Sequence, residues 1–284
     1  MTIGYAKISD PLEAMTRIIF ETGAFSVNTA DPFIYTSKKI GADYVDMGEI
    51  QNYPEAWDKT IEYLADAIKS VVDVKKIDRI SGGEVRDLIF SIRVASKLGI
   101  PHVIIRKEKK SHGVGGRFIG KLNPGDYVVH VADLMNYGSS SDSWVPAIRE
   151  ERAIIEYYFE GFDRLQGGTE SLLKFNPPVK NISIARRDKR FYEIGTELGF
   201  IKDRKQLDEF NRDPINWPKK YLLEHPEFIL RHTKIADGHI IANEGLEVLI
   251  KGYPELIPEL GPNIANILKE REAVDSIPEI GYKV

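Results

Sequence analysis

Residues 127–141 read YVVHVADLMNYGSSS, an apolar run that ends at an acid and is followed by small residues. The run predicts a buried β-strand, and the small residues predict a tight turn into a helix. Backbone N–H groups of such a turn, together with a helix N-terminus, form a good phosphate site. The alternative is an ordinary turn with a serine N-cap. His130, in the middle of the strand, is expected to be a core histidine rather than a ligand.

The same alternation of strand, turn and helix continues on both sides of this stretch. Strands that alternate with helices indicate βαβ units and a mostly parallel sheet. We therefore predict the α/β class, with a central sheet flanked by helices. The predicted strands are Asp78–Ser81, Pro101–Ile105, Asp126–Asp133, Tyr157–Phe162 and Ile182–Ala185, and the predicted helices between them include Glu84–Leu98 and a segment near Trp144–Arg152.

The two ends of the chain differ from this alternating part. Asp10 and Pro11 open an amphipathic helix, because an acidic N-cap followed by proline favours a helix start. After Phe200, prolines interrupt helical periods over Arg204–Glu272, which predicts several short helices. We expect a main domain of residues 1–200, with an N-terminal hood of about residues 1–50, and a helical extension at residues 201–284.

The composition limits the classes of function. The chain has 284 residues, a formal net charge of −4 and no cysteine. A mildly acidic chain is unlike a general nucleic-acid binder, and disulfides, thiolate zinc sites and a cysteine nucleophile are excluded. The N-terminus lacks a signal-peptide pattern, and no apolar run reaches the roughly 20 residues that span a bilayer. We expect a soluble, cytoplasmic protein that binds neither nucleic acid nor membrane.

A second chemically informative stretch is RKEKKSHGVGG, residues 106–116. It carries Arg106, Lys107, Lys110 and His112 ahead of a glycine-containing end. Such a loop can close over an anion, since charge-assisted contacts to phosphate oxygens are strong. A solvated, charged hairpin is the alternative interpretation.

Two further strand-to-helix junctions carry weaker patterns. In SGGEVRD, residues 81–87, Gly82 and Gly83 allow the backbone to approach an anion closely. In FDRLQGG, residues 162–168, Arg164 follows a strand, and its planar fork suits a carboxylate, although a surface ion pair is the usual default.

The order and spacing of these segments resemble orotate phosphoribosyltransferase, a type I phosphoribosyltransferase, over about residues 15–200. RKEKKSHGVGG is similar to the flexible catalytic loop of that family, and VVHVADLMNYGSSS stands where the family keeps its phosphoribosyl-pyrophosphate motif. FDRLQGG resembles the segment whose arginine contacts orotate. Residues 35–39 and 44–46 resemble the segment that covers the base.

The resemblance implies a reaction in which orotate and phosphoribosyl pyrophosphate give orotidine monophosphate and pyrophosphate, with magnesium. It also implies a homodimer, because part of the loop reaches the neighbouring subunit's site in that family. The implied catalytic residues are Lys110, His112 and Asp133, with Asp133 also a candidate metal ligand. The implied substrate-binding residues are Arg106, Lys107, Asn136, Tyr137, Gly138, Ser139, Ser140, Arg164, Gly82, Gly83 and Lys39.

The chain departs from the family pattern at four places. Ala132 replaces the first of two adjacent acids in the ribose motif, and Asn136 with Tyr137 replaces two small residues. A tyrosine there could fill space that a phosphate uses. Thr36 stands where a lysine is expected, and Asp87 stands near a glycine position, where an acid would repel pyrophosphate.

These departures leave two alternatives to orotate transfer. One is a transferase for another base, for which Arg164 favours a carboxylate-bearing base. The other is a catalytically degenerate protein that binds phosphoribosyl pyrophosphate or a nucleotide and acts as a sensor or partner protein. Ala132 and Tyr137 favour this second alternative, whereas the charged loop favours an enzyme.

Overall fold

The computed structural model describes residues 10–110 and 116–284, with the side chains of Lys109 and Lys110 left out. The chain forms two compact units. The first contains the residues up to Phe25 together with Val45–Phe200, and the second contains Ser26–Tyr44 together with Ile201–Val284.

Strands and helices alternate through most of the chain. The strands are β1 (Phe25–Val27), β2 (Phe33–Ile34), β3 (Ile40–Gly41), β4 (Asp43–Val45), β5 (Arg79–Gly83), β6 (His102–Lys110), β7 (Gly116–Ile119), β8 (Tyr127–Met135), β9 (Ile154–Asp163), β10 (Lys180–Ser183), β11 (Lys234–Ala236) and β12 (His239–Ala242). The helices are α1 (Pro11–Glu21), α2 (Pro54–Val71), α3 (Arg86–Leu98), α4 (Ser141–Glu150), α5 (Gly168–Leu173), α6 (Lys189–Glu197), α7 (Arg204–Arg212), α8 (Trp217–Glu224), α9 (Glu227–Arg231), α10 (Glu244–Glu247) and α11 (Ile257–Glu270).

A six-stranded sheet forms the centre of the first unit, in the order β10-β9-β8-β5-β6-β7. All neighbouring strands are parallel except β6 and β7, which are antiparallel. The predicted α/β class with a mostly parallel sheet is therefore confirmed.

Local sequence explains where the helices of this unit begin and end. The Asp10 carboxylate accepts the backbone N–H of Leu12 at 2.9 Å, and Pro11 occupies the first position of α1. Helix α3 ends at Gly99, whose φ of +68° is a left-handed conformation that glycine adopts without strain. Both boundaries agree with the sequence-based expectation.

The predicted loop over residues 106–116 is partly wrong. Residues 106–110 continue strand β6, and Lys110 pairs with Gly116 of β7. The pairing of β6 with β7 is irregular between Ile105 and Lys110, but it resumes at Lys110, so the charged segment stays at the edge of the sheet. Residues 111–115 lie outside the described part of the chain.

The second unit has a core of its own. Apolar residues of α8–α11 cluster with Ile40, and the Tyr253 hydroxyl accepts the Ile40 N–H at 3.0 Å. The Tyr221 hydroxyl donates to the Ala30 carbonyl at 2.6 Å. Residues 26–44 thus belong to the same unit as the C-terminal region, whereas the sequence analysis assigned them to the first domain; the functional domain assignment stays a prediction.

Strands β11 and β12 form an antiparallel hairpin within the region predicted to be wholly helical. Its turn contains Asp237 and Gly238, both with positive φ, as this kind of tight turn requires. Among the residues described, no helix combines the length and apolarity needed to cross a membrane.

Candidate functional site

The parallel strands of the first unit end at one edge of the sheet. The register aligns Gly83 of β5 with Ile105 of β6, and Met135 of β8 with Asp163 of β9. Residues that follow these strands therefore converge at the edge where open α/β sheets bind ligands.

Asp133 is the buried acid at this edge. Its side chain is 7% exposed, and its Oδ1 accepts the Leu134 backbone N–H at 2.7 Å. The carboxyl group of Asp87 acts electrostatically on that of Asp133. Burial raises the pKa of Asp133 to about 7, and the charge of Asp87 adds to this, while the Leu134 hydrogen bond and Arg86 oppose it.

Asp87 comes from the first turn of α3 and is held from two sides. Its Oδ2 accepts the Gly83 N–H at 3.1 Å and lies 3.4 Å from Nε2 of His130. The other ring nitrogen of His130, Nδ1, lies 2.9 Å from the Ser81 hydroxyl. His130 is fully buried, which confirms the expectation of a core histidine.

Ala132 lies in apolar surroundings. It is 1% exposed and belongs to a buried apolar cluster that includes Trp144 and Tyr158. The position where the family pattern has an acid is therefore an apolar one in this chain. The carboxylate whose charge acts on Asp133 is that of Asp87, a residue singled out in the sequence only as a departure from the family pattern.

The turn between β8 and α4 has the backbone shape that its sequence suggested. Gly138 has φ +85°, and a Cβ there would lie 3.2 Å from the Ser141 hydroxyl. That hydroxyl donates to the Gly138 carbonyl at 2.6 Å. Ser139 and Ser140 are exposed, and Ser140 occupies the N-cap position without a side-chain capping bond.

Tyr137 projects into solvent with 69% of its side chain exposed. The expectation that this tyrosine fills space a phosphate uses stays a prediction.

Arg164 and Asn136 connect the ends of β9 and β8. The Arg164 backbone N–H donates to the Met135 carbonyl at 2.9 Å, and its Nη1 donates to Asn136 Oδ1 at 3.4 Å. Asp163 holds the following turn, because its carboxylate accepts the Leu165 N–H at 2.7 Å and the Thr169 hydroxyl at 2.8 Å. The guanidinium is thus positioned beside the turn of residues 136–140.

A buried polar network that the sequence analysis missed lies along β9 and β10. Glu160 is fully buried, and its Oε1 accepts Nδ2 of Asn181 at 2.7 Å and the Ser183 hydroxyl at 2.8 Å. Burial raises the pKa of Glu160 well above its ordinary value, and Asp163 adds to the effect. A single glutamate inside an otherwise apolar strand is the sequence pattern that could have indicated this buried network.

Neighbouring side chains occupy the space that a Cβ would need at Gly82 and Gly83. A Cβ on Gly82 would lie 2.1 Å from the Ser91 hydroxyl, and one on Gly83 would lie 2.3 Å from the Trp144 ring. The contact of these glycines with an anion stays a prediction.

The charged residues after β6 are only partly described. Arg106 donates from Nη1 to the Gly116 carbonyl at 3.2 Å, and the Lys107 backbone N–H donates to Glu84 Oε2 at 3.3 Å. The Lys110 side chain and all of His112 lie outside the described residues.

Lys39 belongs to the second unit. Its ammonium group donates to the Gly252 carbonyl and lies 4.3 Å from the centre of the Tyr253 ring. Both contacts are made within the protein, and a contact of Lys39 with substrate stays a prediction.

Solved structures of phosphoribosyltransferases share the fold of this chain. Orotate phosphoribosyltransferase from Aeropyrum pernix superposes with a TM-score of 0.55 at 21% identity, covering 66% of this chain and 98% of that one. The enzyme from Mycobacterium tuberculosis gives a TM-score of 0.54 at 16% identity, covering 65% and 99%. The fold is therefore that of the type I phosphoribosyltransferases.

Sequence comparison finds relatives named orotate phosphoribosyltransferase. Orotate phosphoribosyltransferase from Agrobacterium fabrum is 24% identical over 218 residues, which is 74% of this chain and 90% of the relative. The protein of the same name from a Ruegeria species is 29% identical over 160 residues, or 54% and 71%. No family model matches the chain. The resemblance to orotate phosphoribosyltransferase is borne out by both comparisons.

Proposed function

We propose that this chain transfers the phosphoribosyl group of phosphoribosyl pyrophosphate to orotate, giving orotidine monophosphate and pyrophosphate in pyrimidine nucleotide synthesis. The observation that carries the proposal is the site at the end of β8. There a buried acid, Asp133, lies five residues before Gly138, whose positive φ forms the turn into α4, in a chain whose sequence relatives are named orotate phosphoribosyltransferase.

The sugar phosphate would occupy the end of β8. In the proposed complex Asp133 accepts hydrogen bonds from ribose hydroxyls, because a carboxylate is a strong acceptor. Residues 136–140 surround the 5′-phosphate with backbone N–H groups, and the exposed hydroxyls of Ser139 and Ser140 can donate as well.

Arg164 would bind the base. The carboxylate of orotate offers two coplanar oxygens, and the guanidinium fork can bind them together. The contact of Arg164 with Asn136 supports this role, since it holds the guanidinium beside the phosphate turn.

The pyrophosphate group would be contacted by the basic residues after β6, which are Arg106, Lys107, Lys110 and His112. It would lie near Gly82 and Gly83. The basic side chains supply positive charge, and the glycines allow the backbone to approach closely. Both features suit a leaving group that carries several negative charges. Lys39 is a further candidate contact to substrate.

The site chemistry fits magnesium bound together with a substrate. Asp133 supplies a hard oxygen ligand, which is the kind that Mg²⁺ prefers. Among the described residues no group of three or more histidine, aspartate or glutamate side chains could hold a metal ion. The remaining ligands would therefore be phosphate oxygens, and the bound ion would supply neutralisation of the leaving-group charge.

Catalysis in this proposal requires positioning rather than covalent participation. Departure of pyrophosphate leaves positive charge on the ribose ring and negative charge on the leaving group. The basic residues stabilise the leaving group, and Asp133 with the phosphate turn holds the sugar in line with the base. A homodimer is part of the proposal, because the loop of residues 106–116 resembles one that completes a neighbouring subunit's site.

A second candidate is a protein that binds the same ligand without turnover. One contact favours it: the Gly83 N–H is engaged by the carboxylate of Asp87, and this negative charge opposes pyrophosphate. A transferase for another carboxylate-bearing base would use Arg164 in the same way.

The deciding experiment mixes the protein with magnesium, phosphoribosyl pyrophosphate and orotate, and follows orotate loss and pyrophosphate release together. Equal amounts of both are the expected result. Calorimetric binding of phosphoribosyl pyrophosphate without turnover would instead favour the binding protein. Absence of both turnover and binding would overturn the proposal.

A further inference from the structure

We propose that Thr169 is a positioning residue for Arg164, because its hydroxyl joins a buried hydrogen-bond network to the turn that carries the guanidinium. The network begins at Glu160 in β9 and passes through Asn181 in β10. The inference rests on the proposed function, since it assumes that Arg164 binds the carboxylate of the base. It goes beyond that function in assigning a residue that sets how well the base is bound without touching the ligand.

The turn of residues 163–165 needs support from its surroundings. Leu165 has φ +52°, a left-handed conformation that leucine rarely adopts, and its side chain is 53% exposed, so apolar packing contributes little to holding it. The Asp163 carboxylate holds the turn instead. Its Oδ1 accepts the Leu165 N–H at 2.7 Å, and its Oδ2 accepts the Thr169 hydroxyl at 2.8 Å. The orientation of this carboxylate therefore fixes the backbone on both sides of Arg164.

Thr169 and Asn181 carry the connection inward. The Thr169 hydroxyl, in the first turn of α5, accepts a hydrogen bond from Asn181 Nδ2 at 2.8 Å while it donates its own hydrogen to Asp163. Asn181 Nδ2 also donates to Glu160 Oε1 at 2.7 Å. Both hydrogens of the amide nitrogen and the single hydrogen of the hydroxyl thus have partners. Neither group can rotate without losing a hydrogen bond.

Glu160 anchors the inner end of the network. Its Oε1 also accepts the Ser183 hydroxyl at 2.8 Å, whereas its Oε2 is buried and makes no hydrogen bond to any described residue. Burial raises the pKa of this carboxyl well above its ordinary value, which favours the neutral form. A buried carboxyl group costs stability that an apolar residue would not. Its hold on the Asn181 amide accounts for a glutamate at this position.

The guanidinium of Arg164 needs an accurate orientation to bind a carboxylate. Its Nη1 donates to Asn136 Oδ1 at 3.4 Å, a long hydrogen bond that holds the side chain weakly. Two parallel hydrogen bonds to a carboxylate form only when the planar group is correctly aligned. Loss of the Thr169 link should therefore weaken binding of the base and leave binding of the sugar phosphate unchanged.

The test compares two ligands by calorimetry: orotidine monophosphate, which carries the base carboxylate, and ribose 5-phosphate, which lacks the base. Thr169→Val removes the hydroxyl at nearly constant shape, and Thr169→Ser keeps it. We expect Thr169→Val to raise the Kd for orotidine monophosphate about fivefold or more, and the Kd for ribose 5-phosphate about twofold at most. Thr169→Ser should bind both ligands within about twofold of the unmodified protein.

Two control variants lie in the same network. Ser183→Ala removes a hydroxyl that contacts Glu160 but stands off the path from Asn181 to Asp163. Glu160→Gln keeps an oxygen that can accept both hydrogen bonds of Oε1. Both variants should bind both ligands within about twofold of the unmodified protein.

A double-mutant cycle tests whether Thr169 acts through Arg164. In the Arg164→Lys background, Thr169→Val should change the Kd for orotidine monophosphate by about twofold at most, because the planar fork that Thr169 positions is already gone.

Three results would overturn the inference. An unchanged Kd for orotidine monophosphate in Thr169→Val, folded by circular dichroism, would refute the positioning role while the proposed function stands. Equal weakening of both ligands, or an additive effect in the Arg164→Lys background, would mean that Thr169 is only structural. If the unmodified protein binds neither orotidine monophosphate nor phosphoribosyl pyrophosphate, the proposed function fails, and the inference fails with it.

Discussion

The indole ring of Trp144 lies directly against the backbone of Gly83, so that a Cβ at this glycine would stand 2.3 Å from the ring. Both groups are buried, and the ring belongs to the apolar cluster of α4. The glycine at the end of β5 is therefore required for packing, whatever it does toward a ligand.

Gly83→Ala should destabilise the first unit because the added methyl group overlaps the ring of Trp144. We expect a loss on the order of 1–3 kcal/mol in the free energy of unfolding, measured by urea denaturation. The double variant Gly83→Ala, Trp144→Leu should recover part of the loss, since the smaller side chain makes room. An unchanged unfolding midpoint in the single variant would contradict the contact.

Ala132→Asp should lower stability rather than restore a missing function. The residue is 1% exposed among apolar side chains, and an unpaired carboxylate there loses its hydration. The expected loss is on the order of 2–4 kcal/mol by thermal or chemical unfolding, and Ala132→Val serves as the control for volume. Unchanged stability together with a higher turnover rate would mean that position 132 opens to the ligand.

Asp133 should make stability depend on pH in a defined direction. Its pKa is about 7 in the folded chain against 3.8 for an unperturbed aspartate. Between these values the folded state keeps a proton that the unfolded state has released, so the free energy of unfolding falls as pH rises through the window. Asp133→Asn should match the unmodified protein below pH 4 and exceed its stability at about pH 8, on the order of a few kcal/mol.

The measurement for Asp133 is a series of urea unfolding curves across this window. Asp66→Asn provides the control, because this carboxylate is exposed on α2. A difference between Asp133→Asn and the unmodified protein that stays constant with pH would contradict the buried, proton-retaining carboxyl.

His102 should make the free energy of unfolding depend on pH in the opposite direction to Asp133. Burial lowers its pKa to about 4 from 6.5, and the nearby ring of His130 adds to the shift. The unfolded state therefore binds a proton that the folded state refuses, and the free energy of unfolding falls as pH decreases from 6.5 toward 4. His102→Gln, whose amide can still reach the Ser91 hydroxyl, should lessen this acid sensitivity in unfolding curves; an identical pH profile would refute the assignment.

Arg164→Lys should selectively weaken binding of orotate. A lysine keeps the positive charge but loses the planar fork and the contact with Asn136. We expect the Kd for orotate to rise about tenfold or more, and the Kd for magnesium–phosphoribosyl pyrophosphate to change by about threefold at most. Arg93→Lys, at an exposed arginine of α3, is the matched control. Equal loss of both ligands would argue that Arg164 is structural.

Local patterns predicted much of the first unit because the residues at the ends of its strands and helices indicate where each element begins or ends. The cap of Asp10, the stop at Gly99 and the apolar run before Asp133 are all short-range features, and each holds in the structure. The hairpin of β11 and β12 was also predictable, since Asp237-Gly238 lies between alternating apolar residues, a strong hairpin pattern. The many prolines nearby obscured it.

Long-range contacts were beyond the reach of those patterns. Nothing in the sequence around Asp87 indicates that its charge acts on Asp133, because this interaction depends on how α3 packs against β8. Likewise, the solvent-facing position of Tyr137 depends on a backbone path that composition does not define. The same holds for the pairing of residues 26–44 with residues 201–284.

That pairing has a consequence for how the protein emerges from the ribosome. Arg231 reaches back to Asp31, and Tyr221 to the carbonyl of Ala30, across most of the chain. Domains fold largely as the chain is made, yet residues 26–44 must wait until about 150 further residues have been synthesised before their partners exist. The first unit can assemble meanwhile, and completion of synthesis, rather than its beginning, brings the N-terminal strands of the second unit to their final neighbours.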